Sequence, residues 1–521
     1  MKIHILGGGP AGLYFAALLK KQNPAQDITV VERDGPNDTF GWGIVFSETT
    51  LDNFAQYDRA TYDEFTRAAQ KRDNVIIEHK GEKICVRGNP ISGVARITWL
   101  QILHKRCQEL GVNLRFRENV TNVADYLDCD LLVGADGANS LVRKTYEGFF
   151  MPSLEIRQNK FIWLGTTQSF DGLTMMFRQT DAGLFIGHAY QFSKTHSTFV
   201  VECPPETWLN AGLDKMGDEE TVKFLADIFK RELNGNALLH NNFVRWLNFP
   251  LVKTRKWFHS PQRGANIVLL GDALHTAHFS IGSGTKLAME DSIALADVFA
   301  RCPNVETALP EFQRVRKPVI DRFQTAAVRS LTWLENVQNY LHLDPLPFAY
   351  KVMTRSQRVS FKRIEMADRD FAHAYRAWKK AQPQRGAIPA EFLDLFQKKA
   401  FGHLATIMPD GTPHVTSVYV DWDGKHIIIN SARGRIKDKN MQERPHVALQ
   451  IPDPDNSDRY ISIRGRVVEI TEEGAEEHLN KLSQRYLEKE VYPPSMRFPG
   501  EVRALYKILP EKVIVWSPWS G

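Results

Sequence analysis

The sequence predicts an α/β domain followed by a smaller antiparallel β domain. A buried strand, a glycine-rich turn, a helix and a second strand open the chain over residues 2–33. Beyond residue 390, short segments of alternating apolar and polar residues are separated by turn residues such as Asp423-Gly424. The first pattern is typical of parallel sheets covered by helices, and the second of antiparallel sheets. At 521 residues, the chain has room for two or three domains.

Composition and charge are those of an ordinary globular protein. Hydrophobic residues make up 43% of the chain and charged residues 24%. A net charge of +5 predicts a local basic patch for an anionic cofactor or substrate, and no nucleic-acid partner. The five cysteines form no C-x-x-C pair, which indicates reduced thiols and a cytoplasmic location. We expect no membrane span, because no apolar run is long enough, and no metal, because no ligand cluster is visible.

Three glycines lie between the first strand and the first helix. KIHILG predicts the strand, AGLYFAALLKK predicts the helix, and Gly7, Gly9 and Gly12 form G-x-G-x-x-G. Gly7 permits the tight turn, Gly9 lets the backbone approach a pyrophosphate, and Gly12 lets the helix and the strand pack closely. The helix N-terminus then presents free N–H groups to the phosphates.

An acidic residue ends the second strand. DITVVER places Glu32 about 20 residues beyond Gly12, where a carboxylate receives ribose hydroxyls. Arg33 follows it and is a further candidate for cofactor binding. An acid instead of an arginine favours an unphosphorylated ribose, so the residues alone leave FAD and NAD open.

Two later segments resemble motifs of the flavoprotein aromatic hydroxylases. LLVGADGANSLVR resembles their D-G motif, with Asp136 in place, and LLGDALHTAHFSIGSGTKLAMEDSIAL resembles their G-D motif. The resemblance implies FAD as cofactor, with Asp272 on its ribityl chain. It also implies that Gly282, Gly284 and Thr285 lie at the start of a helix aimed at the flavin ring, where the positive helix end favours negative charge.

Departures from the common pattern indicate one branch of this family. After the G-D aspartate the chain carries His278, Phe279 and Ser280 instead of prolines. With GWGIVFSETTLDNF and GHAYQFSKTHSTFVVE, this resembles the salicylyl-CoA 5-hydroxylase and 2-aminobenzoyl-CoA monooxygenase branch over residues 1–380. The branch implies hydroxylation of an aromatic acyl-CoA by a flavin hydroperoxide, with O2 and NADH or NADPH. Hydroxylation of a free aromatic metabolite in a pigment or antibiotic pathway is the alternative.

Few side chains need to act as acids or bases in such chemistry, because the cofactor carries the hard step. His278 and Ser280 are catalytic candidates beside the flavin, since the resemblance places them there. His188 and Tyr190, on a strand-like segment, either orient the substrate or are ordinary sheet residues. Two further residues are candidates for cofactor binding, each with a plain structural alternative: Trp42, which otherwise only packs, and Arg96, which otherwise is a solvated charge at a helix start.

A basic stretch lies near the end of the first domain. Basic side chains there either meet CoA phosphates or form the solvated face of an amphipathic helix. They are Lys351, Arg355, Arg358, Lys362, Arg363 and Arg369.

The chain beyond the polar stretch at 379–389 resembles the split β-barrel of pyridoxamine-phosphate-oxidase type, and within it the branch that uses the deazaflavin F-420. The resemblance places Lys437, Lys439 and Asn440 on a turn that grips cofactor phosphate, after Ser431 and Arg433. Thr406 and Thr416 are expected near the cofactor ring on the first hairpin. FMN and F-420 both remain possible. A homodimer is implied, because such barrels generally pair about a two-fold axis.

The predicted architecture is therefore an α/β Rossmann-type FAD-binding domain with an inserted mixed-sheet substrate domain, followed by an antiparallel split β-barrel. The FAD-binding parts are expected at about 1–70, 95–150 and 265–325, and the substrate sheet at about 71–94 and 151–264. A helical end covers 326–380, a linker 381–389 and the barrel 390–521. The barrel either performs a companion reduction or serves as a non-catalytic dimerisation module.

Overall fold

The computed structural model describes residues 1–39, 41–241, 245–381 and 386–516. The chain divides into two units, residues 1–377 and 378–521. Within the predicted linker at 381–389, residues 382–385 lie outside the described residues.

The first unit is built from 17 strands and 14 helices in its described parts. The strands are β1 (Lys2–Leu6), β2 (Asp27–Glu32), β3 (Gly43–Ser47), β4 (Gln70–Arg72), β5 (Val75–His79), β6 (Glu82–Val86), β7 (Ile91–Ala95), β8 (Asn113–Phe116), β9 (Leu131–Gly134), β10 (Pro152–Thr166), β11 (Leu173–Thr180), β12 (Gly183–Gln191), β13 (Ser197–Cys203), β14 (Leu238–Leu239), β15 (Leu247–Thr254), β16 (Phe258–His259) and β17 (Asn266–Leu269). The helices are α1 (Pro10–Gln22), α2 (Glu48–Tyr57), α3 (Arg59–Ala68), α4 (Arg96–Leu110), α5 (Leu141–Thr145), α6 (Glu147–Phe150), α7 (Pro205–Asn210), α8 (Asp218–Ile228), α9 (Lys230–Leu233), α10 (Gly284–Arg301), α11 (Val305–Glu335), α12 (Pro345–Thr354), α13 (Phe361–Ala367) and α14 (Arg369–Ala381), the last of which runs into the second unit.

A six-stranded sheet forms the nucleotide-binding half of this unit. Its order is β16-β17-β9-β1-β2-β8, and all neighbours are parallel except the edge pair β16–β17. β9 and β17 are buried throughout, as expected for strands covered by helices on both faces. The hydroxyl of Ser292 on α10 donates to the Ala11 carbonyl at 2.8 Å, which ties α10 to α1. The predicted Rossmann-type fold is confirmed.

An eight-stranded mixed sheet forms the other half. Its order is β14-β10-β13-β12-β11-β5-β6, with β15 paired to β10. β11 and β5 run parallel, whereas the other pairs are antiparallel, so the mixed sheet predicted from the sequence is confirmed. One face of this sheet buries Leu164, Phe199 and Val201 in an apolar cluster with Leu225 and Phe229 around α8. A small sheet of order β3-β7-β4 completes the unit.

The second unit contains a closed antiparallel barrel of order β18-β19-β20-β23-β22-β21, closed by the pair β18–β21. Its strands are β18 (Phe401–Ile407), β19 (Pro413–Trp422), β20 (Ile427–Ala432), β21 (His446–Asp453), β22 (Asn456–Thr471) and β23 (Arg503–Trp516), and its helices are α15 (Ile436–Glu443) and α16 (Ala475–Leu487). β18 and β21 alternate between buried and exposed residues, so inward side chains such as Leu404 and Leu449 fill the barrel. The predicted barrel is confirmed.

One local expectation in this unit was wrong. The segment predicted to be a turn around Lys437 is the helix α15. Asp438 in its first turn accepts from the Gly434 amide at 2.7 Å, and this bond helps the chain to enter a helix after β20. In the described parts of the chain, no helix combines the length and apolar content that a membrane span needs. The same residues hold no cluster of three or more His, Cys, Asp or Glu side chains suited to a metal ion.

Candidate functional site

The turn between β1 and α1 brings the predicted glycines to the carboxyl end of the parallel sheet. Gly7 has a φ of +110°, a conformation that favours glycine, and its amide donates to the Val31 carbonyl at 2.8 Å. A Cβ at Gly12 would lie 2.3 Å from the Gly7 carbonyl oxygen, so the close packing of α1 requires glycine. A Cβ at Gly9 would meet no protein atom within 4 Å. The backbone at Gly9 therefore faces open space, where the start of α1 can receive phosphate groups.

Glu32 is the last residue of β2, and its carboxylate accepts two backbone hydrogen bonds. Oε2 accepts from the Gly8 amide at 2.6 Å, and Oε1 accepts from the Asp34 amide at 3.0 Å. The carboxylate thus lies directly beside the glycine turn, as a ribose-binding acid does in this kind of fold. Arg33 is exposed and its Nε lies 3.4 Å from an Asp34 carboxylate oxygen, so the structure places it on the surface beside this position.

The glycine turn is the first of the three motifs, the D-G motif is the second and the G-D motif is the third. The second motif follows β9 and is joined to the third by one buried arginine. Asp136 Oδ2 accepts from the amides of Leu141 at 2.6 Å and Val142 at 3.1 Å, which fixes the start of α5. Arg143 donates to the Ala273 carbonyl at 2.7 Å and to a carbonyl of its own motif. Because Ala273 belongs to the third motif, Arg143 holds the two segments together.

Asp272 lies in a short 3₁₀ turn that follows β17 and packs on α1. A Cβ at Gly271 would lie 2.9 Å from the Ala11 Cβ, so the turn sits directly against that helix. Asp272 is exposed to solvent. Partial desolvation by the surrounding protein nevertheless raises the pKa of its carboxyl, while His275 and Arg96 oppose this shift. The carboxyl of Asp272 therefore lies near the charges of His275, from its own motif, and of Arg96, at the start of α4.

The residues after Asp272 place the N-terminus of α10 next to β3. Gly282 has a φ of +59°, and a Cβ there would lie 3.4 Å from a methyl group of Val45. Gly284 and Thr285 are the first two residues of α10, which is 18 residues long. The positive end of α10 therefore lies close to β3.

Several buried polar groups around these motifs have no hydrogen-bond partner within the described ranges. Among them are Nε of Arg96, at the start of α4, and Oδ1 of Asp136. Buried polar groups are normally paired, so both indicate a missing ligand. Burial lowers the pKa of Arg96, and Asp272 opposes that shift without contacting it in an ion pair. A dinucleotide offers phosphate oxygens to the guanidinium and hydroxyl groups to the carboxylate, so these residues fit FAD.

The loop before β3 packs on the mixed sheet. A Cβ at Gly165 would lie 2.5 Å from the Trp42 ring, so the indole covers this glycine on β10. The Trp42 Nε1 is buried without a partner among residues that the structure describes. Tyr190 donates from its hydroxyl to the Gly43 carbonyl at 2.6 Å, and burial raises the pKa of Tyr190 to about 12. Tyr190 therefore remains protonated and anchors the loop.

His188 on β12 and Glu202 on β13 form a buried pair on the sheet face that meets the third motif. The His188 Nε2 lies 3.2 Å from Glu202 Oε2, and the Asn159 amide donates to Glu202 Oε1 at 2.7 Å. Burial opposes the charge of Glu202, but the bond from His188 and the proximity of His278 hold its pKa below the ordinary value. The His188 ring meets the Phe279 ring edge-on, with 5.5 Å between centroids.

His278 and Ser280 flank Phe279 in the third motif. Burial lowers the pKa of His278 to about 4, so its ring is neutral at ordinary pH. Its Nδ1 accepts from the Ser280 amide at 3.3 Å. The Ser280 hydroxyl lies 2.8 Å from the Ser330 hydroxyl on α11, and its carbonyl accepts from Arg355 at 2.5 Å. The side chain of Ser280 is thus engaged with α11, whereas His278 stands beside Phe279.

The basic stretch at 350–371 does not form one face. Arg355 is held by hydrogen bonds to α11, to α12 and to the third motif. Arg358 lies over the Phe323 ring at 4.0 Å, and the Lys286 ammonium lies 4.7 Å from the same ring centroid. The stretch therefore combines an internal arginine with exposed cations next to the start of α10.

Two buried acidic residues near these motifs were not predicted from the sequence. Glu202 stands in STFVVEC, where all seven residues are buried. Asp291 on α10 is buried and meets His275 at 2.7 Å and Arg316 at 2.7 Å. The available signal was an acidic residue inside an apolar run, because a buried carboxylate requires a partner.

The second unit has an excess of positive charge at one place. Arg435 and Arg503 both pair with Glu501, at 3.2 Å and 2.6 Å. Lys437 has no carboxylate partner among the described residues, and its ammonium lies 3.3 Å from the Thr416 hydroxyl. Burial lowers the pKa of Lys437, and the two arginines add to this. Three cations around one carboxylate suit an anion such as a phosphate.

The other predicted residues of this unit lie around that cluster or on the surface. Lys439 is exposed on α15. The Asn440 amide donates to the Thr406 hydroxyl at 3.0 Å and so ties α15 to β18. Ser431 is buried at the end of β20, and its hydroxyl has no partner within the described residues. Arg433 pairs with a carboxylate of α15 at 3.0 Å.

Comparison with known proteins gives a match in each unit. The family described as FAD binding domain matches residues 101–326, and the family described as pyridoxamine 5'-phosphate oxidase matches residues 388–517. Salicyloyl-CoA 5-hydroxylase from Streptomyces sp is 39% identical over 75% of this chain and 76% of that protein. Protodeoxyviolaceinate monooxygenase from Chromobacterium violaceum is 32% identical over 67% of this chain and 92% of that protein. The protein 3-hydroxy-4-methyl-anthranilyl-(aryl-carrier protein) 5-monooxygenase from Streptosporangium sibiricum is 33% identical over 64% of this chain and 89% of that protein.

Solved structures share the fold of the first unit. The tetrameric form of 2-methyl-3-hydroxypyridine-5-carboxylic acid oxygenase has a TM-score of 0.53 at 17% identity, covering 69% of this chain and 98% of that one. p-Nitrophenol 4-monooxygenase from Pseudomonas putida has a TM-score of 0.54 at 14% identity, covering 72% of this chain and 97% of that one. With the three motif segments in place, the chain belongs to the FAD-dependent aromatic hydroxylases, fused to a barrel of the pyridoxamine 5'-phosphate oxidase type.

Proposed function

We propose that this protein hydroxylates an aromatic acyl-CoA of the salicylyl-CoA or 2-aminobenzoyl-CoA type in the cytoplasm, with O2 and NADH or NADPH. The observation that carries the proposal is that the third motif packs against a buried polar face of the mixed sheet, where the Phe279 ring contacts the His188 ring. Two relatives support the acyl substrate, since their names give a salicyloyl-CoA and an anthranilyl group on a carrier protein.

The cofactor is held by the three motif segments. The glycine turn and Glu32 are placed for the ADP half of FAD, and Asp272 with the start of α10 for the flavin half. When bound, FAD supplies electron transfer from the nicotinamide and activation of O2. The chain itself orients the ring and excludes water, with Trp42 and Phe279 as aromatic cover. Neutral His278 and protonated Tyr190 add no net charge to this space.

The exposed cations near α10 support a CoA thioester. Arg358, Lys362 and Arg363 lie at the surface after α12, and no carboxylate of the described residues bonds Arg358. Burial lowers the pKa of Arg358 and the charge of Arg363 adds to this, so the two guanidinium groups lie in one positively charged region. Guanidinium groups bind phosphates with strong, charge-assisted hydrogen bonds.

The barrel is proposed to hold a second cofactor, FMN or F-420, and to perform a companion reduction. Arg435, Lys437 and Arg503 would meet its phosphate, and the unpaired Ser431 hydroxyl lies on the strand that leads to them. We further propose a homodimer, because barrels of this type generally pair about a two-fold axis.

The proposal is tested with purified protein, NADH, O2 and a substrate series. Salicylyl-CoA, 2-aminobenzoyl-CoA, the matching pantetheine thioesters and the free acids would be compared by O2 uptake and product mass. At least one CoA thioester should consume O2 in step with hydroxylated product, with a lower kcat/KM for the truncated thioester. NADH oxidation that yields only peroxide with every compound would overturn the proposal.

The second candidate is a hydroxylase of a free aromatic metabolite, with the barrel as a non-catalytic dimerisation module. It is favoured by the relative named protodeoxyviolaceinate monooxygenase, whose name contains no thioester. Equal kcat/KM for the CoA thioester and the free aromatic compound would support this second candidate.

A further inference from the structure

We propose that Arg355 recognises the carbonyl oxygen of the acyl group on the aromatic ring, so that the protein binds an aryl thioester in preference to the free acid. This inference rests on the proposed hydroxylase function and adds to it the residue that distinguishes the acyl group. The sequence analysis grouped Arg355 with the cations for CoA phosphates. The structure separates it from them, because Arg358 and Lys362 are exposed whereas Arg355 bonds to interior groups.

The guanidinium of Arg355 lies where the helical end of the first unit meets the third motif. Its Nε donates to the Ser330 hydroxyl on α11 at 2.9 Å, and Nη1 donates to the Val352 carbonyl on α12 at 2.5 Å. Nη2 donates to the Ser280 carbonyl in the third motif at 2.5 Å. Each terminal nitrogen of a guanidinium carries a second N–H group. These second N–H groups have no acceptor among the residues that the structure describes.

The charge of Arg355 is balanced at a distance and not by contact. Within the described ranges, no carboxylate forms an ion pair with it. Burial lowers the pKa of Arg355 to about 10, and the charge of Glu202 opposes this shift. The Glu202 oxygens are engaged elsewhere, because one accepts from the Asn159 amide at 2.7 Å and the other lies 3.2 Å from the His188 Nε2. A buried cation needs hydrogen-bond acceptors, so the free N–H groups are suited to an acceptor that a ligand supplies.

Aromatic rings of the third motif lie next to this cation. Burial lowers the pKa of His278 to about 4, while Glu202 opposes this shift and Arg355 adds to it, so both charges act on the His278 ring. The centroid of that ring lies 4.0 Å from the Phe279 centroid, which lies 5.0 Å from that of Phe161. An aromatic surface and a guanidinium are thus close together, which suits a ring that bears a carbonyl group.

The balance of charge favours a neutral acceptor over a carboxylate. Arg355 and Glu202 carry opposite charges, and His278 is neutral at ordinary pH. A thioester carbonyl leaves this balance unchanged when it accepts from Arg355. The carboxylate of a free acid would bring a further negative charge close to Glu202, and like charges repel strongly where water is excluded.

The experiment measures binding to the full-length, FAD-loaded protein without NADH, from the change in flavin absorbance. The ligands are salicylyl-CoA, salicylate and the thioether 2-hydroxybenzyl-CoA, in which a methylene group replaces the carbonyl. Arg355→Met and Arg355→Lys are compared with the wild type. Ser330→Ala is the matched control, because it removes a hydrogen-bond partner of Arg355 but keeps the guanidinium. Salicylyl-CoA labelled with ¹³C at the carbonyl gives the infrared frequency of the bound carbonyl.

The wild type and Ser330→Ala should bind the thioester about 10-fold or more tighter than the thioether, since a hydrogen bond to a charged group is gained. In Arg355→Met this preference should fall below about 3-fold, because that bond is lost. Arg355→Lys should show an intermediate preference, since an ammonium keeps the charge but not the fork of N–H groups. This variant also serves if Arg355→Met retains no FAD. The carbonyl frequency should be lower in the wild type than in either Arg355 variant.

The charge argument is tested by Glu202→Gln, which should bind salicylate more tightly than the wild type does, because the repulsion between carboxylates is removed. No gain in salicylate binding would overturn the discrimination against the free acid. A thioester preference or a carbonyl frequency that is the same in the wild type and the Arg355 variants would overturn the role of Arg355 while hydroxylation stands. A wild type that hydroxylates no aryl thioester would overturn the proposed function itself.

Discussion

Lys437 illustrates how the surroundings of one side chain define its role. The sequence placed it beside Lys439 as an equal candidate, but Lys439 is exposed whereas Lys437 is buried next to Arg435 and Arg503. Burial and repulsion lower the pKa of Lys437, so the folded chain holds this proton less tightly than the unfolded chain does. The buried charge therefore destabilises the fold below the lowered pKa, and this cost disappears as the pH rises toward the ordinary lysine value.

Lys437→Met should raise the unfolding midpoint of the ligand-free second unit by about 2–4 °C, because an unpaired buried cation is removed. The same change should weaken FMN or F-420 binding about 10-fold or more, since a charged hydrogen bond to phosphate is lost. In the wild type, cofactor affinity should fall as the pH rises through the lowered pKa. Thermal unfolding and fluorescence titration of the full chain measure both effects, with exposed Lys425→Met as control. Unchanged affinity at every pH would show that Lys437 does not bind the cofactor.

Residues in contiguous motifs were predictable, whereas partners from distant strands were not. Gly12 and Asp272 were found because their roles depend on local spacing within a turn. Glu202 was missed, because its meaning comes from Asn159 on β10 and His188 on β12, which the sheet brings together. No local pattern in STFVVEC identifies those partners.

At the scale of elements, the contact between α1 and its glycine turn is too close to admit any side chain larger than that of glycine. A Cβ at Gly12 would meet the Gly7 carbonyl oxygen at 2.3 Å, and the neighbouring Ala11 carbonyl is bonded to Ser292 of α10, which resists a shift of the helix. Such backbone contacts allow no relief by a change of rotamer.

Gly12→Val should therefore abolish FAD retention and lower the free energy of unfolding by about 1–3 kcal/mol. Gly148→Ala is the matched control, because a Cβ at Gly148 on α6 would meet nothing within 4 Å. FAD released per chain and chemical denaturation measure the two effects. Normal FAD content in Gly12→Val would refute the proposed placement of the cofactor on this turn.

The elements of the barrel were predictable because buried and exposed residues alternate along its strands. The short alternating segments predicted beyond residue 390 form the six strands of the barrel. The helix α15 was predicted as a turn, since its charged sequence IKDKNMQE carries little apolar periodicity. Its start is supported by the hydrogen bond from the Gly434 amide to Asp438. α16, between β22 and β23, was not predicted, although it buries Leu479 and Leu482.

At the scale of the whole molecule, an aromatic hydroxylase unit and a barrel of the pyridoxamine 5'-phosphate oxidase type share one chain. The fold of the first unit was predictable, because three separated motifs each require a strand followed by a turn at the same sheet edge. The polar face of the mixed sheet was not predictable, since it depends on register between β10, β12 and β13. The relatives support hydroxylation by the first unit, whereas the proposed second cofactor rests on the family match of the barrel and on its cationic cluster.

The most direct test of the central claim is oxygen-isotope labelling with salicylyl-CoA. Purified protein, NADH and ¹⁸O2 should give a hydroxylated CoA thioester that carries one ¹⁸O atom, while the same reaction in H2¹⁸O with ordinary O2 gives unlabelled product. A labelled ring hydroxyl from ¹⁸O2 is the result that the account predicts. Recovery of unchanged thioester with labelled hydrogen peroxide only, or of label from water, would contradict it.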